Sequence, residues 1–111
     1  MKKYKEIASK NTENQDNYIL DVWGDFDSFR KDIKTGSIIN LPVDCIVPRS
    51  AIEFDNAEEF GSMTNGIIEL SYEKINCDEE SRKAELVIHD GHNRYKTAIA
   101  KGMKTLKCIV K

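Results

Sequence analysis

The stretch Leu86-Val-Ile-His-Asp-Gly-His-Asn-Arg-Tyr-Lys-Thr-Ala-Ile-Ala-Lys-Gly102 decides how this chain is read. Leu86 to Ile88 is an apolar run of the kind a buried strand needs. His89-Asp90-Gly91 is a polar turn. Tyr95, Ala98 and Ile99 then recur at helical spacing until Gly102 stops them. A strand that passes through a glycine turn into a helix makes an anion site. The helix start presents N–H groups without intrahelical acceptors, and glycine lets a phosphate come close. Arg94 falls on the first turn, where a guanidinium can grip phosphate oxygens with two parallel N–H groups.

Charge distribution sharpens that reading. The chain of 111 residues carries a net charge of −2. Residues 1–43 hold seven basic and seven acidic side chains; residues 44–90 hold four basic and twelve acidic, a net of −8. Residues 91–111 hold six basic and no acidic side chains, a net of +6. An acidic whole argues against unaided DNA binding, which needs a broad basic face. A local basic patch suits a small anionic ligand, with a lysine-rich solvated helix face as the plain alternative.

The flanking segments define an α+β domain with a mixed sheet. Thr105 to Val110 reads as a closing strand, and Ile67 to Tyr72 as a strand able to pair with Ala84 to His89 in a long-looped hairpin. Cys77 to Lys83 is a charged turn region, and the helix after the glycine turn spans 93–101. Asn56 to Thr64 reads as a helix with Ala57, Phe60 and Met63 inward, weakened by Gly61 and ended by Asn65-Gly66. Ile38 to Val47 is β-branched and interrupted by Pro42, which predicts a kinked strand at a sheet edge. Tyr18, Ile19, Val22, Trp23, Phe26, Phe29 and Ile33 lie at spacings of three and four. They predict a helix capped by Asp16 or Asn17, broken near Gly24 and ended by Gly36. The first fifteen residues are polar and read as loosely held. Residues 1–37 thus form an N-terminal extension with an amphipathic helix, and residues 38–111 form the domain.

Apolar content of 40% with 32% charged residues fits a soluble globular chain rather than a disordered one. No apolar run is long enough to span a bilayer, and no secretory signal precedes the domain. Cys45, Cys77 and Cys108 are widely spaced, form no CxxC pair and read as reduced thiols of a cytoplasmic protein.

Asp90-Gly91-His92-Asn93-Arg94-Tyr95, with Ala98, Gly102 and the closing strand, resembles the ParB/sulfiredoxin superfamily. Asn40-Leu-Pro-Val-Asp-Cys-Ile-Val-Pro-Arg49 is similar to that family's first strand and the loop bearing a basic residue. The resemblance covers residues 38–110. It implies a ParB/sulfiredoxin-like mixed sheet packed with helices, and a Gly-x-x-Arg signature, here Gly91 to Arg94, that cradles nucleotide phosphates. Sulfiredoxins carry a catalytic cysteine where His92 stands, so sulfinic acid reduction is not expected. ParB partition proteins carry Gly-Glu-Arg-Arg, where this chain has His92 and Asn93, and no helix-turn-helix follows here. Free serine kinases carry Asp-Gly-His-His-Arg, which Asp90, Gly91, His92 and Arg94 match and Asn93 does not. The resemblance therefore implies ATP, ADP or CTP with Mg²⁺, and phosphotransfer to a small-molecule acceptor or nucleotide hydrolysis as the chemistry. A non-enzymatic ParB-like module working through protein or DNA partners on a plasmid, phage or mobile element is one alternative. A ParB-like nuclease is the other.

Each candidate residue has a functional and a structural role. Arg94 binds phosphate oxygens, or pairs with the acidic middle of the chain. Gly91 admits phosphate, or is an ordinary Asp-Gly turn. Asp90 holds Mg²⁺ or positions a hydroxyl, or caps the helix. His92 donates to phosphate or acts as general acid or base, or is a capping or partly buried histidine. Asn93 donates to phosphate or caps. Arg49 is the second basic residue the implied fold brings near the ligand. Glu53, Asp55, Glu58 and Glu59 supply a base, or form a solvated acidic face. His89 and His92 alone are too few ligands for a transition metal, and Cys45 and Cys108 read as core residues in strands.

Overall fold

Polar side chains anchor the first helix. In the computed structural model, which describes residues 4–58, 66–72 and 85–111, α1 spans Tyr4–Trp23. Its buried face is Ala8, Asn11, Thr12, Gln15 and Ile19, spaced at three and four as one side of a helix requires. Asn11 Nδ2 donates to the Ile46 carbonyl at 2.7 Å and to the Tyr95 hydroxyl at 2.9 Å. Gln15 Nε2 donates to the carbonyls of Cys45 and Leu86, each at 3.0 Å, and its Oε1 accepts from the Leu86 N–H at 3.3 Å. A buried backbone group left unpaired is costly, so these side chains complete main-chain bonding where the chain leaves the sheet. The expectation of a loosely held segment is therefore corrected for residues 4–15. The helix starts well before Asp16 and Asn17, and its inward face is polar because it meets backbone.

The break expected near Gly24 is present. α2 runs from Phe26 to Asp32, and Asp25 caps it by accepting from the Ser28 N–H at 2.7 Å. Trp23 stacks edge-on against Phe29, with centroids 5.0 Å apart, which joins the two helices through the aromatic stripe seen in the sequence.

Among the described residues four strands form one mixed sheet in the order β1-β4-β2-β3. They are β1 (Ile38–Pro42), β2 (Ile68–Tyr72), β3 (Leu86–Asp90) and β4 (Thr105–Val110). β1 pairs antiparallel with β4, β4 parallel with β2, and β2 antiparallel with β3. β1 lies at the edge, as Pro42 requires. A single 3₁₀ turn, Val43–Cys45, follows it, and Val47 then bridges Val87. Cys45 is thus buried in a turn rather than in a strand, whereas Cys108 is buried in β4. Leu41, Ile46, Ile68, Leu70, Leu86, Ile88, Cys108 and Val110 form one core cluster with Ile19, Phe29 and Ile33 of the N-terminal helical segment.

A helix not expected from the sequence runs up to Asn56. α3 spans Ala51–Asn56, begins at the cap Ser50 and ends at Ala57. The expected helix from Asn56 thus has no helical residues at Ala57 and Glu58. Its remainder, with Phe60, Gly61, Met63 and Asn65, lies outside the described residues, as do Cys77 and the charged segment to Lys83. The final helix, α4, spans His92–Ala100. No helix among the described residues is long and apolar enough to cross a membrane.

Candidate functional site

The turn from β3 into α4 is built on Gly91. Its φ of 118° lies in the left-handed half of conformational space, which favours glycine. A side chain there would also press on Ile68, whose Cγ1 and Cα lie 3.1 and 3.3 Å from where a Cβ would stand. Gly91 is the N-cap of α4 and offers no side chain to its first turn. Asp90 stays in β3, so neither Asp90 nor Asn93 caps this helix. The opening N–H groups of a helix have no acceptors within it, and they carry the positive end of its dipole.

A cavity of about 290 Å³ opens at this helix start, lined by Glu53, His89, Asp90, Gly91, His92, Asn93 and Arg94. The five consecutive residues singled out from sequence line it together. Glu53, one of four carboxylates considered, reaches the same cavity because Ser50 starts α3 beside it. The Ser50 hydroxyl accepts from the Glu53 N–H at 3.2 Å.

Arg49 lies alongside and organises both histidines. Its main-chain N–H donates to His92 Nε2 at 3.1 Å, and its Nη2 lies 3.0 Å from His89 Nδ1. Its Nε donates to the Ile88 carbonyl at 3.2 Å. Arginine and backbone N–H groups only donate, so both imidazole nitrogens accept. In a neutral ring the remaining proton is then on Nδ1 of His92 and on Nε2 of His89. His92 is buried and its pKa is lowered from the usual 6.5. Burial is the largest cause; Glu53 opposes it, Arg49 reinforces it and Asp90 opposes it. His92 is therefore a neutral imidazole near pH 7, able to donate through Nδ1.

Asn93 and Arg94 are held by the chain on either side of them. The Asn93 Oδ1 accepts from the Glu58 N–H at 2.8 Å, tying the exit of α3 to the first turn of α4. Lys96 Nζ donates to the Phe54 carbonyl at 3.2 Å and so caps the end of α3. The Arg94 guanidinium lies over Gly66, where a Cβ would collide with it. Asp55 is drawn to the same Lys96 through its carbonyl, and Glu59 lies outside the described residues.

Sequence reasoning missed the contact of Gly66 with Arg94 and the completion of the Arg49 loop by α1, where the Tyr4 hydroxyl donates to the Arg49 carbonyl at 3.0 Å. Neither had a local signal, because each joins segments far apart in the chain. No group of three or more histidine, cysteine or carboxylate side chains is arranged to hold a metal ion among the described residues. No family model matches the chain, and neither the curated proteins nor the solved structures offer a significant match.

Proposed function

We propose that this chain binds a nucleotide, with its phosphates at the turn from β3 into α4. One observation carries the reading. The uncapped start of α4 opens into a cavity whose lining includes Arg94 together with Asp90 and Glu53. Gly91 leaves room for phosphate oxygens, the helix start supplies N–H donors, and Arg94 supplies a fork of donors. The cavity of about 290 Å³ suits the phosphate end, with the nucleoside outside it.

Two carboxylates beside a polyanion repel it unless a cation lies between them. Mg²⁺ takes one or two protein carboxylates and completes its shell with phosphate oxygens and water. Asp90, with Glu53 in the same cavity wall, fits that role without a preformed three-ligand cluster. Binding of ATP, ADP or CTP is then Mg²⁺-dependent. His92, neutral and anchored through Nε2, can offer its Nδ1 proton to a phosphate oxygen or leaving group. Phosphotransfer to a small acceptor is the chemistry this arrangement serves best.

Calorimetric titration of the full chain with ATP, ADP and CTP, each with and without Mg²⁺, tests the reading. Binding that needs Mg²⁺ and is lost in Arg94→Ala is the expected result. Absence of heat with all three nucleotides, together with an unchanged melting temperature, overturns it.

A further inference from the structure

On the other side of α4 a second, larger cavity of about 740 Å³ lies between α1 and α4. Its volume is in the range of small-molecule sites. The most buried of its lining residues are Tyr95, Asn11 and Val43. Ile7, Ile99 and Met103 add apolar wall.

The polar group at its base is incompletely bonded. Asn11 Nδ2 uses both hydrogens, one on the Ile46 carbonyl and one on the Tyr95 hydroxyl. These two bonds fix the amide orientation, so Oδ1 is directed away from both. Asn11 is only 6% exposed, yet its Oδ1 has no hydrogen-bond donor among the described residues and is not sealed from solvent. Tyr95 accepts from Asn11 and donates to no acceptor among them. The cavity base therefore presents an unmet acceptor, backed by a hydroxyl with an unused proton. At the rim Glu6 and Asp44 offset Lys10 and Lys104, so no net charge recruits an ion.

We infer that this cavity is a binding site for a small uncharged molecule with a flat apolar body and an N–H or O–H group that donates to Asn11 Oδ1. The apolar body lies against Val43, Ile7 and Ile99, and the donor meets the amide oxygen that the described residues leave unbonded. The site is independent of the phosphate cradle, since the two cavities share no residue.

The test uses ¹⁵N-labelled full chain titrated with indole and with 1-methylindole, which has the same body without the N–H. Indole is expected to move the Asn11 side-chain amide signals, and 1-methylindole to bind about threefold or more weakly, the loss expected for one hydrogen bond. Ile99→Trp, at a half-exposed wall position, fills the space and is expected to abolish the indole response with the remaining spectrum retained. The inference is overturned if indole causes no shifts up to its solubility limit. Equal binding of the two compounds, or undiminished indole binding by Ile99→Trp, overturns it as well.

Discussion

The main-chain N–H of Arg49 donates to Nε2 of His92 at 3.1 Å, so one bond joins the loop before α3 to the first turn of α4. That bond exists only while His92 is neutral at Nε2. The guanidinium of the same Arg49 holds His89 through Nδ1. Protonation of His92 at Nε2 would remove the acceptor of that bond and place a positive charge near the arginine.

Stability is expected to fall in mild acid because of His92. Its folded-state pKa is lowered from 6.5, so between those two values the unfolded chain binds a proton that the folded chain does not. The stabilising contribution is fully present above about pH 6.5 and is lost as pH falls through the folded value. Urea midpoints measured from pH 8 to pH 5 should therefore drop more steeply for the wild type than for His92→Gln. Parallel profiles would remove His92 as the cause.

Gly91→Ala should destabilise the fold by about 1–3 kcal/mol, the usual range for a residue forced into a sparsely populated backbone region. The contact with Ile68 adds to that strain. Chemical denaturation reads the loss. A change below a few tenths of a kcal/mol would mean that the turn relaxes to a different backbone geometry.

Gly66→Ala separates the site from the fold. The added methyl group meets the flexible end of Arg94 rather than backbone, so the guanidinium moves aside at small cost in stability. Nucleotide affinity, by contrast, is expected to fall severalfold as Arg94 leaves its position. Paired melting and calorimetric measurements check this, and an unchanged affinity would show that the Arg94 position does not matter for binding.

Gln15→Leu should cost on the order of 3 kcal/mol, because it strands the two Leu86 backbone groups and the Cys45 carbonyl away from water. A near-neutral result in equilibrium unfolding would show that α1 does not support the edge of β3.

Cys45 and Cys108 are expected to resist thiol reagents in the native state. Burial is the largest cause pushing each thiol up to about 12, which leaves almost no thiolate at neutral pH. Peptide mapping after alkylation should find both unmodified until denaturant is added.

The strands and the turn into α4 were legible because their signals are local. Leu86 to Ile88, the Asp90-Gly91 turn and the Tyr95, Ala98 spacing each report on their own few residues, and β4 covers Thr105–Val110, the closing strand expected there. Pro42 likewise marked a sheet edge, because a residue without an N–H cannot sit inside a ladder. α1 was not legible. Its buried face carries Asn11, Thr12 and Gln15, and a hydrophobicity pattern reads such residues as solvent-facing. The short α3 was missed because its start rests on one capping residue, Ser50, with no apolar periodicity behind it.

By itself the sequence determined an α+β chain with a glycine-hinged strand-to-helix turn and a basic segment after it, since backbone preference and charge belong to the residues themselves. Only the tertiary structure decided which distant groups meet there. It set Arg49 on both histidines, Glu53 at the cavity wall, Gly66 beneath Arg94, and Asn11 and Gln15 on the backbone around β3. Those contacts depend on the path of the chain between elements. A polar side chain is read as surface or core only once the backbone group it must satisfy has been placed beside it.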